Sequence, residues 1–158
     1  MKGRGTVGGK QQQVALRRLK PGDDEFCFQL HRSALGEYVD AIWGWDEPAQ
    51  RAYHETHFDA AHTQIITVDG HDAGALTVLD GGTEAVLGLI ELDPVYQCRG
   101  IGGHVVKALV AEAASRGQDV VLEVLDVNTR AKAFYERLGF VEAGRPREHK
   151  IALRYTAP

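Results

Sequence analysis

Six residues, Gln97-Cys98-Arg99-Gly100-Ile101-Gly102, stand between an apolar strand-like run and a segment with helical periodicity. No other feature restricts this chain as strongly. A strand that ends in such a loop and restarts as a helix offers backbone N–H groups where the helix begins. The glycines let the main chain approach a bound anion closely. Phosphate is the natural guest. Two familiar phosphate loops are excluded by spacing. No G-x-x-x-x-G-K-[ST] string occurs. The G-x-G-x-x-G fingerprint fails at its third glycine, where Val105 stands. What remains is Q-x-x-G-x-G, preceded by Leu92-Asp93-Pro94-Val95-Tyr96. A glycine-rich turn that binds nothing is the alternative these six residues leave open.

Patterning places the junction within a larger order of elements. Val14 to Leu19 alternates as a strand, and Pro21-Gly22-Asp23-Asp24 supplies a turn and a helix start. From Glu25 to Ile42 apolar residues recur at helical spacing, as one long helix or as two broken near Gly36. Trp43-Gly44-Trp45-Asp46-Glu47-Pro48 interrupts, and Pro48 opens a helix predicted to reach about Phe58. Strands are predicted at Thr63–Val68 and Ala73–Leu79 around an Asp69-Gly70 hairpin turn, and at Ala85–Leu92 after Asp80-Gly81-Gly82. A helix follows from Ile101 to Arg116, with Val105, Val106, Leu109, Val110 and Ala113 on one face and Gly117 as its cap. Asp119–Val124 is a short apolar strand; Asn128 or Thr129 caps a helix that ends at Gly139; Phe140–Ala143 and Ile151–Tyr155 are the last strands. The result is one α/β domain over residues 14–158, a mixed sheet flanked by helices, with no internal repeat. Residues 1–13 are expected to be a flexible tail, with an expression remnant or an alternative start as the other readings.

Bulk properties narrow the function. A length of 158 residues suits one domain with a sizeable core, and 44% hydrophobic content is ordinary for a globular chain. A formal charge of −4 disfavours nucleic acid as a partner and is compatible with cationic amines. Cys27 and Cys98 are too few for a disulfide framework, which suits a reducing, cytoplasmic setting. No run has the length of a membrane span, and the N-terminus lacks an apolar signal region, so no membrane association is expected.

The downstream block decides what the loop resembles. Leu122-Glu123-Val124 is followed by Asn128 and then by Ala133-Phe134-Tyr135-Glu136-Arg137-Leu138-Gly139-Phe140. Together with the Gln97 loop, this order of strand, Asn, Tyr-bearing helix and Leu-Gly-Phe resembles the GNAT superfamily of acyl-CoA-dependent N-acyltransferases over roughly residues 85 to 143. The resemblance implies a mixed, mostly antiparallel sheet of about six or seven strands, splayed between the fourth and fifth, with about four flanking helices.

It also implies acetyl-CoA as co-substrate and no metal. Backbone groups near Leu92 would bind the pantetheine arm like an added strand, and an N–H there would polarise the thioester carbonyl. N–H groups of Cys98, Arg99, Gly100, Ile101, Gly102 and Gly103 would hold the pyrophosphate, with Gln97 supporting the loop. Arg99 would add a bond to phosphate or remain a solvated charge. Asn128 matches the Asn that bonds pantetheine, or is a plain helix cap. Tyr135 matches the proton donor to the departing thiolate; an ordinary phenol, with a pKa near about 10, suits that task. Its alternative is a buried aromatic on the inner stripe of its helix. For the base that deprotonates the amine, Glu123 leads, with Glu91 as competitor and water as the third choice. Tyr38, Trp43 and Trp45 are candidates for the acceptor pocket, since aromatics favour cations, or they pack the helices onto the sheet.

His54-Glu55-Thr56-His57 falls one residue short of H-E-x-x-H and is expected to be a solvated helix face. His31 and Ser33 lack the signature of a nucleophile elbow. The activity implied is transfer of acetyl to a primary amine of a small molecule, or to a protein N-terminus or lysine; a homodimer is compatible with the resemblance. Two other classes stay open: a CoA-binding regulatory module without catalysis, and a nucleotide-phosphate binder, which ATP rather than CoA would stabilise.

Overall fold

The computed structural model describes residues 4–7 and 10–158, with side chains from Gln12 onward. In chain order the elements are β1 (Arg4–Val7), β2 (Lys10–Arg18), α1 (Asp23–Trp43), α2 (Glu47–His57), β3 (Thr63–Val68), β4 (His71–Asp80), β5 (Glu84–Leu92), α3 (Ile101–Ser115), β6 (Asp119–Leu125), α4 (Thr129–Arg137), β7 (Val141–Arg147) and β8 (Lys150–Tyr155). The strand order is β1-β2-β3-β4-β5-β6-β8-β7. The seven strands expected from the sequence all form, and the mixed sheet with four helices is the expected class.

One strand was not foreseen. Arg4–Val7 pairs antiparallel with Lys10–Gln13, so the strand expected to start at Val14 starts at Lys10. Backbone pairing between two polar segments needs no apolar alternation, which was the only signal the periodicity could carry. Residues 1–3, 8 and 9 of the expected tail lie outside the described residues.

Turn chemistry sets the registers. Asp69 and Gly70 join β3 to β4 with φ of 51° and 83°, the positive pair that a tight primed hairpin turn requires. Helix α1 runs unbroken through Gly36, because a Cβ there would meet the Trp45 ring at an ordinary 3.7 Å and nothing forces a break. Pro48 sits in the first turn of α2, whose cap Asp46 accepts from the Ala49 N–H at 3.2 Å.

The described chain divides into two compact units. Of the described residues, those up to 77 and 89–102 form the first; residues 78–88 and 103–158 form the second. Within the first, Cys27 and Leu30 of α1 are buried on Ile65 and Ala75, with Leu19, Phe26, Phe58 and Leu89 packed around them. Burial pushes the Cys27 thiol up to about 12, so it behaves as a small apolar side chain. Within the second, Val106, Val120, Phe140 and Leu153 are fully enclosed.

An ionic clamp ties β2, α1 and β4 together in the first unit. Arg17 donates to both oxygens of Asp23, at 2.8 and 3.1 Å, and to both of Asp72, at 3.0 and 2.8 Å. Asp23 also accepts the Lys20 N–H at 2.6 Å. Hydrogen bonding from Arg17 holds both carboxyls below the usual carboxylate range. A depressed folded pKa contributes stability that is present above the unfolded value, near about 4, and lost as pH falls through the folded value. Arg17→Met is therefore expected to flatten the fall in stability below about pH 4 and to move acid unfolding to higher pH. Urea titrations between pH 2 and 6 measure both; an unchanged acid transition would contradict the clamp.

Candidate active site

The strand before the glycine loop is shaped by its neighbour. Ile66 pairs with Gly74, and the next pair is Thr67 with Asp72, so Ala73 is an extra residue in β4. Beside this bulge, a Cβ on Gly74 would lie 2.3 Å from the Glu91 carbonyl oxygen, so only glycine permits the approach. The Asp93 N–H donates to the Ala73 carbonyl at 2.8 Å. The Glu91 carbonyl and the Asp93 N–H thus face β4, and strand geometry turns the Leu92 N–H and C=O to the opposite edge. On that edge the parallel ladder of β5 with β6 runs only from Glu84↔Asp119 to Val86↔Val121. Its end is the expected splay between the fourth and fifth strands, here β5 and β6 because β1 is added.

Past Leu92 the chain is braced from within. Gln97 Nε2 donates to the Leu92 carbonyl at 3.0 Å, and Asp93 accepts from the Val95 N–H at 3.0 Å around the short Pro94–Tyr96 turn. Cys98 and Gly100 both adopt left-handed backbone, with φ of 60° and 79°. Residues 98–100 are exposed, and a Cβ on Gly100 or Gly103 would touch nothing within 4 Å. The first N–H groups of α3 follow directly, without partners inside their helix. Open space against backbone donors at a helix start is what a diphosphate needs. The Arg99 guanidinium lies 5.5 Å from the Tyr96 ring centre.

Behind the same stretch of β5 sits a pair that the sequence did not reveal. Glu91 is 5% exposed, and its Oε2 lies 3.0 Å from Nδ1 of His31 on α1. The His31 side chain keeps 25% exposure. Its ring is 6.4 Å from that of Trp45, which also lies 6.4 Å from Phe28 and donates its indole N–H to Glu47 at 2.9 Å. Trp45 therefore packs the helix pair. Trp43 is 59% exposed at the end of α1, and Tyr38 is half-buried. His31 lies four residues after buried Cys27, a spacing that marks a helix face; its partner sixty positions away in the chain is visible only after folding.

In the second unit Tyr135 is 8% exposed on α4, edge-on to Phe134 at 5.0 Å and to Phe140 at 5.5 Å. Burial raises its phenol above the ordinary value near about 10, which corrects the expectation of an unperturbed acid. Asn128 caps α4 through Oδ1, which accepts the Ala131 N–H at 3.1 Å. Glu123 is a partly exposed residue of β6 and accepts from Arg147 of β7.

His54 departs from the expected solvated face. It packs edge-on to Phe28 at 5.5 Å, stacks on Phe58 at 4.8 Å, and places Nε2 3.1 Å from the Asp24 carbonyl, because α2 lies against α1. His57 stacks on Tyr53 instead, at 4.0 Å. Among the described residues no cluster of three or more His, Cys, Asp or Glu side chains could hold a metal ion. Among the same residues no helix is long and apolar enough to cross a membrane.

A family model described as Acetyltransferase (GNAT) family matches residues 26–140, well over half of the chain. The chain belongs to the GNAT acetyltransferase family. Among curated GNAT relatives, [Ribosomal protein bS18]-alanine N-acetyltransferase of Escherichia coli K12 is 44% identical over 61 residues, 38% of this chain and 41% of that protein. Mycothiol acetyltransferase of Thermobispora bispora is 29% identical over 136 residues, 80% of this chain and 46% of that protein. The chain thus spans less than half the length of these relatives. The PaiA N-acetyltransferase of Thermoplasma acidophilum, solved in complex with coenzyme A, superposes with a TM-score of 0.74 at 15% identity, covering 91% of this chain and 99% of that one. The E. coli ribosomal-protein-S18-alanine enzyme superposes at 0.65 with 23% identity, covering 92% and 94%. At these identities the superpositions establish a shared GNAT fold.

Proposed function

We propose that residues 14–158 act as one N-acetyltransferase domain that moves an acetyl group from acetyl-CoA to a primary amine. The observation that carries this reading is the edge of β5 at Leu92. Its N–H faces away from β4, beyond the end of the β5–β6 ladder, and an open glycine loop at a helix start follows within ten residues. That edge suits a pantetheine amide, and the loop suits a diphosphate. Acetyl-CoA supplies the activated acyl carbon. The Leu92 N–H would then polarise the thioester oxygen, worth about 3 kcal/mol for one well-placed donor. Tyr135 is the donor to the departing sulfur, supported by its position in the family pattern. Asn128 combines its cap with a bond to pantetheine. The amine is that of a small molecule or a protein terminus; the relatives named for a ribosomal-protein alanine and for mycothiol support both.

The two carboxylates proposed as base differ in setting. Arg147 of β7 already bonds Glu123. Glu91 is enclosed and already faces a histidine. The reading is tested by titrating acetyl-CoA and ATP separately into the full chain. At a concentration about a hundred times Kd, CoA is expected to stabilise by about 2.7 kcal/mol, a rise in Tm of roughly 5–10 °C, and ATP by far less. Equal shifts with ATP favour the nucleotide-phosphate reading, and no heat with acetyl-CoA overturns the proposal. Thiol release with a panel of amines separates an enzyme from a catalytically silent CoA-binding module.

A further inference from the structure

Resting on that reading, we infer that His31 is the group that takes the proton from the acceptor amine, and that Glu91 is a positioning residue that holds it. On this assignment the hydrogen of the 3.0 Å contact sits on Nδ1 and is donated to the Glu91 carboxylate, which leaves a lone pair on Nε2. The same division of labour makes a carboxylate–imidazole pair an effective base elsewhere: the carboxylate fixes the tautomer and stabilises the imidazolium that forms. Glu91 is 5% exposed and buried, while the His31 side chain keeps 25% exposure and can meet a solvent-borne amine. Glu91 is also the residue immediately before Leu92, the proposed thioester-polarising position.

The charged surroundings leave this assignment intact. From β5 the facing group is Glu91. After α1 it is the neutral Trp45 indole, whose N–H goes to Glu47 of α2. Arg32, the next residue of α1, lies 3.6 Å from Glu47, and Arg51 of α2 bonds Glu25 at 2.9 Å, so both cations are drawn to carboxylates.

The step balances without a co-reactant. The ammonium gives one proton to Nε2 of His31, and the free amine attacks the acyl carbon, forming C–N as C–S breaks. The second proton on nitrogen replaces the one that Tyr135 gives to the thiolate. The imidazolium then loses its proton to water, and the net release is one proton.

The test uses the full chain, acetyl-CoA and a panel of amines from pH 5.5 to 9.5. His31→Gln is expected to lose at least about a hundredfold in kcat/KM at neutral pH. It should also lose the acidic limb of the profile, keep the wild-type heat of CoA binding, and recover in part on adding free imidazole. Glu91→Gln keeps the limb at a reduced rate, and nitrogen-resolved NMR should report Nδ1–H alone at His31 in the wild type and mixed tautomers in this variant. A histidine that only supports the fold would lower the plateau, leave the limb in place and show no imidazole rescue; that result overturns the inference. So does an Nε2–H tautomer in the wild type. A wild-type chain that binds acetyl-CoA and acetylates amines while His31→Gln retains its limb sinks this inference alone, whereas a wild-type chain that neither binds nor acetylates sinks the acetyltransferase reading with it.

Discussion

Replacing Gly74 with alanine is expected to lower stability by about 3 kcal/mol and Tm by roughly 6–12 °C, and to weaken acetyl-CoA binding at the same time. Its backbone φ lies outside the left-handed region, so strain in the mutant comes from contact alone. The new Cβ would lie 2.3 Å from the Glu91 carbonyl oxygen and 2.8 Å from Leu92 Cδ2. A flexible side chain could swing aside, but the carbonyl belongs to β5 itself. Relief requires β5 to move away from the bulge in β4, and with it the Leu92 N–H and the Glu91 carboxylate. Gly36→Ala makes the same chemical change and should have the opposite sign. Its Cβ meets the Trp45 ring at 3.7 Å in mid-helix, where alanine gains about 0.5–1 kcal/mol over glycine. Thermal melts and CoA calorimetry on the pair measure both effects. Gly74→Ala with wild-type Tm and affinity would mean that the close approach of β4 to β5 does not hold in solution.

Tyr135→Phe is expected to cut turnover at least about tenfold while leaving fold and CoA affinity intact. The ring contacts with Phe134 and Phe140 involve no hydroxyl, so phenylalanine preserves them. Burial moves the phenol upward, which keeps it protonated throughout the neutral range. Its deprotonation therefore belongs above the ordinary tyrosine region, and any descending limb of the rate profile below about pH 10 must come from another group. A weaker acid also makes transfer to a free thiolate less favourable, so the donor would act as C–S cleavage develops charge on sulfur. Single-turnover rates with acetyl-CoA and a reactive amine decide the matter. Wild-type turnover in Tyr135→Phe would remove the hydroxyl from the chemistry.

Most elements were legible because their signals are local. Thr63–Val68 is rich in β-branched residues, Asp69-Gly70 accepts positive φ, Pro48 suits a first helical turn, and Asn128 reaches the N–H of Ala131. The Q-x-x-G-x-G loop and the Tyr-bearing helix carried the family for the same reason. What failed depended on partners. Polar Lys10–Gln13 pairs through its backbone, and His54 is covered by Phe28 and Phe58. Glu123 and Glu91 are both strand glutamates, and only the family resemblance ranked one above the other. The fold adds their partners, Arg147 and His31.

The order of strands and helices, the glycine loop and the family were written in the sequence alone, since periodicity, turn residues and short motifs act between near neighbours. Tertiary structure alone decided what surrounds each candidate. It placed a histidine on a buried carboxylate, an arginine on the exposed one, and aromatic rings around the phenol. Proton affinity depends on what surrounds a group in space, and those surroundings come from residues distant in the chain.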